Sequence, residues 1–337
     1  MKELLKTLCA LDGVSGWEDE VRGFILNRVR PLADELREDG VGNIFVFKKG
    51  RERRGDTLCL MAHMDEVGLF VNAITDDGFL RVICSGIDPR VLPGRPVRVG
   101  LNKTPGLIGI KPVHLAERDE LTRAVKVSAL YVDIGAADKA EAEKLCKLGD
   151  PISFVCPPLE MGGGFLRAKA IDDRVGCAVL IKLLEEEQAR DCWYVFTAQE
   201  EVGLRGAHAA AFALKPDRAL IIEGTTAADR PDVKPHKRVC VPGGGVVIPY
   251  MDGGAVYDRG MFTRLRGLCE KHGIPWQTKE YVSGGTDARA VQQTAEGVRV
   301  AGIAAAVRYL HSPASLVKLS DAEDMLNLAR AYTADPL

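Results

Sequence analysis

Short apolar runs bounded by Gly, Pro and charge set the rhythm of this chain, and the rhythm changes twice along it. Residues 1–34 read as two helices separated by Asp12-Gly13-Val14-Ser15-Gly16, with Ser15 and Glu18 spaced as a capping box for the second. Asn43–Lys48 and Thr57–Ala62 suit strands, and the second ends directly at His63. From about Leu69 to Gly162, β-like pieces alternate with Gly and Pro turns: Phe79–Cys84, Pro96–Gly100, Gly106–Ile110, Ala129–Gly135 and Pro151–Cys156. One helical piece, Ala137–Leu148, falls among them, and the spacing predicts a small barrel or sandwich.

After Gly164 helix and strand alternate. Val175–Gln188 reads as a helix, Cys192–Ala198 as a strand, Leu204–Leu214 as a helix and Arg218–Glu223 as a strand. A helix at Met261–His272, a strand at Gln277–Val282, a helix at Asp287–Gln293 and a strand at Val298–Ala304 follow, and a helix at Asp321–Tyr332 closes the chain. This alternation predicts a mostly parallel sheet with helices on both faces. The expected fold class is therefore α/β: one domain of residues 1–68 plus 163–337, interrupted by a β-rich module at 69–162. A length of 337 residues fits two domains.

Composition narrows the partners. A net charge of −2 gives no reason to expect nucleic acid or an anionic membrane surface. The densest basic run, Lys48–Arg54, is broken by Glu52 and reads as a solvated hairpin tip. Nine cysteines, scattered mostly in apolar runs and lacking a CxxC pair, read as buried reduced thiols. No segment approaches the ~20 uninterrupted apolar residues of a membrane span, and Met1–Lys6 lacks the apolar core of a signal peptide. The expected location is cytoplasmic.

Five separated segments carry the candidate chemistry: Ala62-His63-Met64-Asp65, Ile171-Asp172-Asp173-Arg174, Gln199-Glu200-Glu201-Val202-Gly203, Glu223, and Arg308-Tyr309-Leu310-His311-Ser312-Pro313. His63, Glu200-Glu201 and Glu223 each follow a predicted strand, and ligands collect beyond the carboxyl edge of open α/β sheets. Two imidazoles and several carboxylates suit a pair of divalent ions ~3.5–4 Å apart. Asp172 is the expected bridge, since its two oxygens can serve one ion each. His63 with Glu223 would complete one ion, and His311 with Glu201 the other. Asp65 would hydrogen-bond the free ring nitrogen of His63, leaving Glu200 as general base. Taken singly, each residue has an ordinary structural explanation, such as a helix cap for Asp172-Asp173 or a solvated face for Glu200-Glu201. Only jointly do they point to metal, because so many buried carboxylates on one rim would be costly without cations. His114, His208, His236 and His272 lack such a setting.

The strings Ala-His-Met-Asp-Glu-Val-Gly (62–68), Lys-Ala-Ile-Asp-Asp-Arg-Val-Gly (169–176), Gln-Glu-Glu-Val-Gly-Leu-Arg-Gly-Ala (199–207), Gly-Gly-Thr-Asp-Ala (284–288) and Arg-Tyr-Leu-His-Ser-Pro (308–313) occur in order along nearly the whole chain. In these the chain resembles the M42 family of dinuclear metalloaminopeptidases, which includes glutamyl, leucyl and lysyl aminopeptidases and tetrahedral archaeal assemblies. The resemblance implies a zinc-peptidase-like catalytic domain, with His63, Asp172, Glu201, Glu223 and His311 as metal ligands and Glu200 as base. It also implies that 69–162 is a dimerisation domain, and that dimers build toward a dodecamer. The chain departs from the family where Glu223 replaces a common Asp, where Gly224-Thr225-Thr226-Ala227-Ala228-Asp229-Arg230-Pro231 follows it, and at Ala314-Ser315. Thr286 and Asp287 acquire no role from the residues themselves beyond a helix start.

The expected function is removal of N-terminal residues from short peptides by a metal-activated hydroxide, with Glu200 as general base and two divalent ions per subunit. Zinc leads, and cobalt or manganese suits the same mixed ligands. Two alternatives share the sequence: a deacylase of N-acyl amino acids using the same site, and a catalytically silent assembly subunit. A glycoside hydrolase would need two carboxylates but would give His63 and His311 no task.

Overall fold

A computed structural model describes residues 1–53, 55–84 and 86–334. Among these, an eleven-stranded sheet forms the main layer, nine of its strands running in one path. Their order is Glu35–Glu38, Ile44–Lys48, Cys192–Thr197, Leu58–His63, Arg218–Thr226, Arg299–Arg308, Ser315–Lys318, Phe165–Ala168 and Leu159–Met161. The four central strands, from Cys192–Thr197 to Arg299–Arg308, are mutually parallel, and the strands on either flank are antiparallel. A parallel centre needs both faces covered, and the strand Leu58–His63 is buried along its whole length. Its alternation sends Leu58, Leu60 and Ala62 into one core and Cys59 and Met61 into the other.

The first face is covered by the helix Ile171–Leu184, buried almost all round because Lys2–Ala10 and Leu319–Ala334 lie against it. The short helices Arg205–Leu214 and Ala288–Gln292 pack together against the second. Asp172 (φ −84°, ψ 110°) and Asp173 (φ −121°, ψ 43°) leave helical geometry at the start of Ile171–Leu184, so the regular turns begin after them.

The β-like stretch forms a closed barrel of six strands in the order Pro151–Phe154, Leu69–Ile74, Leu80–Cys84, Tyr131–Asp133, Thr104–Gly109 and Pro96–Val99. It encloses a core of its own, including Leu69, Val82, Val99, Ile108 and Phe154. Leu159–Met161, which follows the barrel strands, pairs with Phe165–Ala168 in the main sheet.

Three expectations are corrected. The basic run is no hairpin tip: Gly50–Glu52 pairs in parallel with Gln188–Arg190, and Lys48 donates to the carbonyl of Leu184. Arg54 lies outside the described residues. Ser15 caps no helix, because its hydroxyl donates instead to the buried Asp65 carboxylate at 2.6 Å. The strand expected at Gln277–Val282 shrinks to Trp276–Gln277, beyond which the Thr278 hydroxyl, not a backbone ladder, holds the carbonyl of Ile248.

Candidate functional site

Strand register builds the floor of the site. Thr197 lies opposite His63 across one parallel pair. The neighbouring pair sets Ile221 opposite Met61, so Glu223, two residues on, lies level with His63. Arg218–Thr226 continues past Glu223, which therefore stands within its strand rather than at its end. Asp172 arrives from the start of the helix Ile171–Leu184, joined to Asp173 by a cis peptide. Glu200-Glu201 and His311 come on loops held by residues in left-handed conformation: Gln199 (φ 58°), Leu204 (φ 57°), Tyr309 (φ 59°) and His311 itself (φ 52°). Side chains disfavour that conformation, and it persists where surroundings over-determine it. The hydroxyls of Ser312 and Ser315 supply that constraint at the last loop by donating to the Tyr309 carbonyl.

Asp172 stands between the two imidazoles. Its Oδ1 lies 3.7 Å from His63 Nε2 and its Oδ2 3.7 Å from His311 Nε2. Glu201 Oε2 is 3.3 Å from His311 Nε2. His63, Asp172 and Glu201 each offer one ligand atom within 4.8 Å of the others. Glu223 is buried; its Oε1 accepts the Asp287 backbone N–H at 3.1 Å, and the adjacent Gly224 N–H donates to Asp172 Oδ1 at 3.1 Å. Each ring turns its other nitrogen to a fixed acceptor: His311 Nδ1 meets the Gly86 carbonyl at 3.1 Å. His63 Nδ1 meets the Asp65 carbonyl at 3.2 Å and Asp65 Oδ1 at 3.4 Å.

Asp65 also does more than orient a ring. Its carboxylate accepts the backbone N–H groups of Glu200 and Glu201 at 2.9 and 3.1 Å, with Ser15 as a third donor. One buried acid thus ties the His63 strand to the Glu200-Glu201 loop.

Electrostatically the site is short of cations. Burial pushes the Glu200 and Glu223 carboxyls well above the usual range, reinforced by the charges of Asp287 and Glu201 at Glu200 and of Glu200 and Asp172 at Glu223. Burial raises Glu201 to about 7, against the pull of His311 and His63. Asp172 goes the other way: burial would raise it, but the two imidazoles hold it far below. Burial alone would likewise lower His311 and His63. Asp172 and Glu201 nevertheless carry His311 to about 9, and Asp172 and Asp65 carry His63 well above its ordinary value. Divalent cations would relieve the same crowded charge, and mixed N/O donors of this kind fit such ions.

Two residues without an assignment from sequence stand close to this set. Asp173 accepts the His63 backbone N–H at 3.2 Å and the Gly176 N–H at 2.9 Å, fixing the helix to the strand end. Asp287, beyond holding Glu223, accepts the Thr197 hydroxyl at 2.6 Å, and burial raises its carboxyl to about 6. Position 287 had shown only a helix start, since nothing local reveals that Thr197 and Glu223 lie beneath it. Two clefts reach the centre. One, about 380 Å³, is bordered by Glu200, Glu201, Thr286 and Arg289, and the other, about 430 Å³, by His311, Arg90, Arg95 and Arg230.

Comparison with known proteins agrees with this architecture. A model of the M42 glutamyl aminopeptidase family matches residues 42–328. The lysyl aminopeptidase of Pyrococcus furiosus is 30% identical over 98% of this chain and 95% of its own. Among solved structures, an aminopeptidase from the archaeon Desulfurococcus kamchatkensis superposes with a TM-score of 0.93 at 36% identity, covering 99% of this chain and 94% of that one. The TET1 peptidase of Pyrococcus horikoshii, which can assemble into a tetrahedron or a large octahedral shell, gives 0.88 at 33% identity over 99% of both chains. Fold, ordered motifs and whole-length similarity together assign the chain to the M42 glutamyl aminopeptidase family.

Proposed function

We propose that the protein is a metal-dependent aminopeptidase that removes N-terminal residues from short peptides. His63, Asp172, Glu201, Glu223 and His311 would hold two divalent ions, zinc first, with cobalt or manganese compatible with the same donors. The observation that carries this reading is Asp172 standing between two imidazoles, one carboxylate oxygen toward each. When bound, the ions would acidify the attacking water and polarise the scissile carbonyl.

The remaining steps belong to side chains. Glu200, half-buried at the cleft and facing the charge of His63 yet left out of the imidazole–carboxylate contacts, takes a proton from the attacking water and delivers it to the leaving amine. Asp65 keeps Glu200 and Glu201 in register with His63 through their backbone N–H groups. The acidic rim attracts the cationic α-amine of the substrate, which favours a free N-terminus. Residues 69–162 would serve as the dimerisation domain, and a dodecameric shell like those of relatives would admit only unfolded or short chains. No helix among the described residues is long and apolar enough to cross a membrane. The nine free cysteines suit a reducing compartment, the cytoplasm in this reading.

A panel of aminoacyl-anilides beside their N-acetylated counterparts, assayed after chelation and after restoring zinc, cobalt or manganese, tests the proposal. Metal-dependent cleavage of the free-amine set alone supports it. Cleavage of the acetylated set would make the protein a deacylase, and no cleavage with any metal would leave an assembly subunit.

A further inference from the structure

The cleft on the Glu200 side contains one cation, Arg289, on the helix Ala288–Gln292. Its aliphatic stem lies flat on Gly254, where a Cβ would stand 3.0 Å from Arg289 Cβ and 3.1 Å from its Cδ. That shelf is fixed. Asp252 Oδ1 accepts the Gly254 N–H at 2.7 Å, Asp252 Oδ2 accepts the Tyr257 and Thr286 hydroxyls, and the Gly253 N–H donates to the Gly284 carbonyl at 2.7 Å. The stem is therefore seated although the residue is exposed, and its guanidinium enters no ion pair among the described residues. A planar cation held this way is suited to a carboxylate, which it can grip with two parallel N–H groups.

The direction of the reaction says whose carboxylate. In the function proposed above, on which this inference rests, Glu200 returns its proton to the leaving amine. The residue just past the scissile bond must then lie on the Glu200 side, while the cleaved residue lies toward His311. We propose that Arg289 is a specificity-determining residue that binds a carboxylate on the residue immediately following the scissile bond. In a dipeptide this is the terminal α-carboxylate; in longer peptides it is an Asp or Glu side chain at that position. Glycines 253, 254, 284 and 285, which carry no side chains, border this cleft together with Glu200 and Arg289.

The test uses the full-length protein with its divalent ion restored and three substrates: a dipeptide X-Ala, its amide X-Ala-NH2, and X-Asp-NH2. X is the residue cleaved fastest as an anilide. The wild type is expected to favour a carboxylate-bearing substrate over X-Ala-NH2 by about tenfold in kcat/KM, chiefly through KM, the size expected for a partly solvated bidentate pair. Arg289→Ala should abolish that preference and Arg289→Lys restore part of it. Preference for X-Ala identifies the α-carboxylate as the partner, and preference for X-Asp-NH2 the side chain. If the wild type favours neither over X-Ala-NH2, or if Arg289→Ala slows all three equally, the inference is overturned while the aminopeptidase stands. Absence of anilide cleavage, which would leave X undefined, overturns the aminopeptidase reading and this inference with it, whereas anilide cleavage with none of the three peptides cut overturns this inference alone.

Discussion

At the scale of single residues, Glu200 and Glu201 illustrate how neighbours in sequence acquire different tasks. Both are lifted by burial, but Glu201 approaches His311 at 3.3 Å while the strongest opposing charge on Glu200 is His63. Asp65 fixes both backbones, so the difference comes from side-chain direction alone. Glu200→Gln keeps the shape and removes the proton-accepting oxygen. Turnover should fall by about 10²–10⁴-fold with metal content unchanged, as read by steady-state kinetics alongside elemental analysis. Full turnover in this variant would remove Glu200 from the mechanism.

Between elements, the contact that matters most to the site is the one joining barrel to sheet, since Gly86, which positions His311, follows the barrel strand Leu80–Cys84. A charged cluster makes that joint. Asp12 accepts Arg98 Nε at 2.7 Å and lies 3.4 Å from Lys103, both from the barrel, and 3.2 Å from Lys169. Lys169 is buried and also meets Glu66 at 2.5 Å. Burial opposes the charge on Asp12, yet Arg98 and Lys169 hold its carboxyl down at about 2. A depressed carboxylate contributes fully above its unfolded pKa of about 3.9, and the contribution is lost as pH falls through 2. Asp12→Asn should therefore cost about 1–2 kcal/mol at neutral pH, allowing for partial solvent screening. The gap from the parent should close between about pH 4 and 2, measured by denaturant unfolding at each pH. A gap that does not depend on pH would show that packing, not charge, holds the joint.

For the whole molecule, the barrel module carries several exposed apolar side chains on its connecting loops. Leu101, Val113, Leu115 and Leu121 are all well exposed, Leu101 at 73% and Val113 at 71%. If the barrel module is the dimerisation domain proposed above, these apolar side chains are candidates for its association surface. Val113→Asp should therefore shift the assembly to smaller species, with the catalytic layer intact. Light scattering coupled to gel filtration reads the mass, and an unchanged mass would move the interface elsewhere on the chain.

Much of this protein was legible in its residues, because periodicity and punctuation are local. A small β-rich module, the alternation after Gly164, and the positions of His63 at a strand end and Glu200-Glu201 just past one follow from apolar runs and the breakers between them. Ordered motifs then gave the family. Local signals misled where a polar side chain was claimed from far away: Ser15 serves Asp65 across 50 positions, and Gly50–Glu52 pairs with a strand more than 130 residues on. Only the tertiary structure set Glu223 level with His63, turned the two oxygens of Asp172 toward different imidazoles, and placed Asp287 and Arg289 around the same centre. The reason is physical. A sequence records which residues prefer strand, helix or turn, whereas register between strands and the aim of a buried side chain depend on contacts that exist only once distant segments have packed.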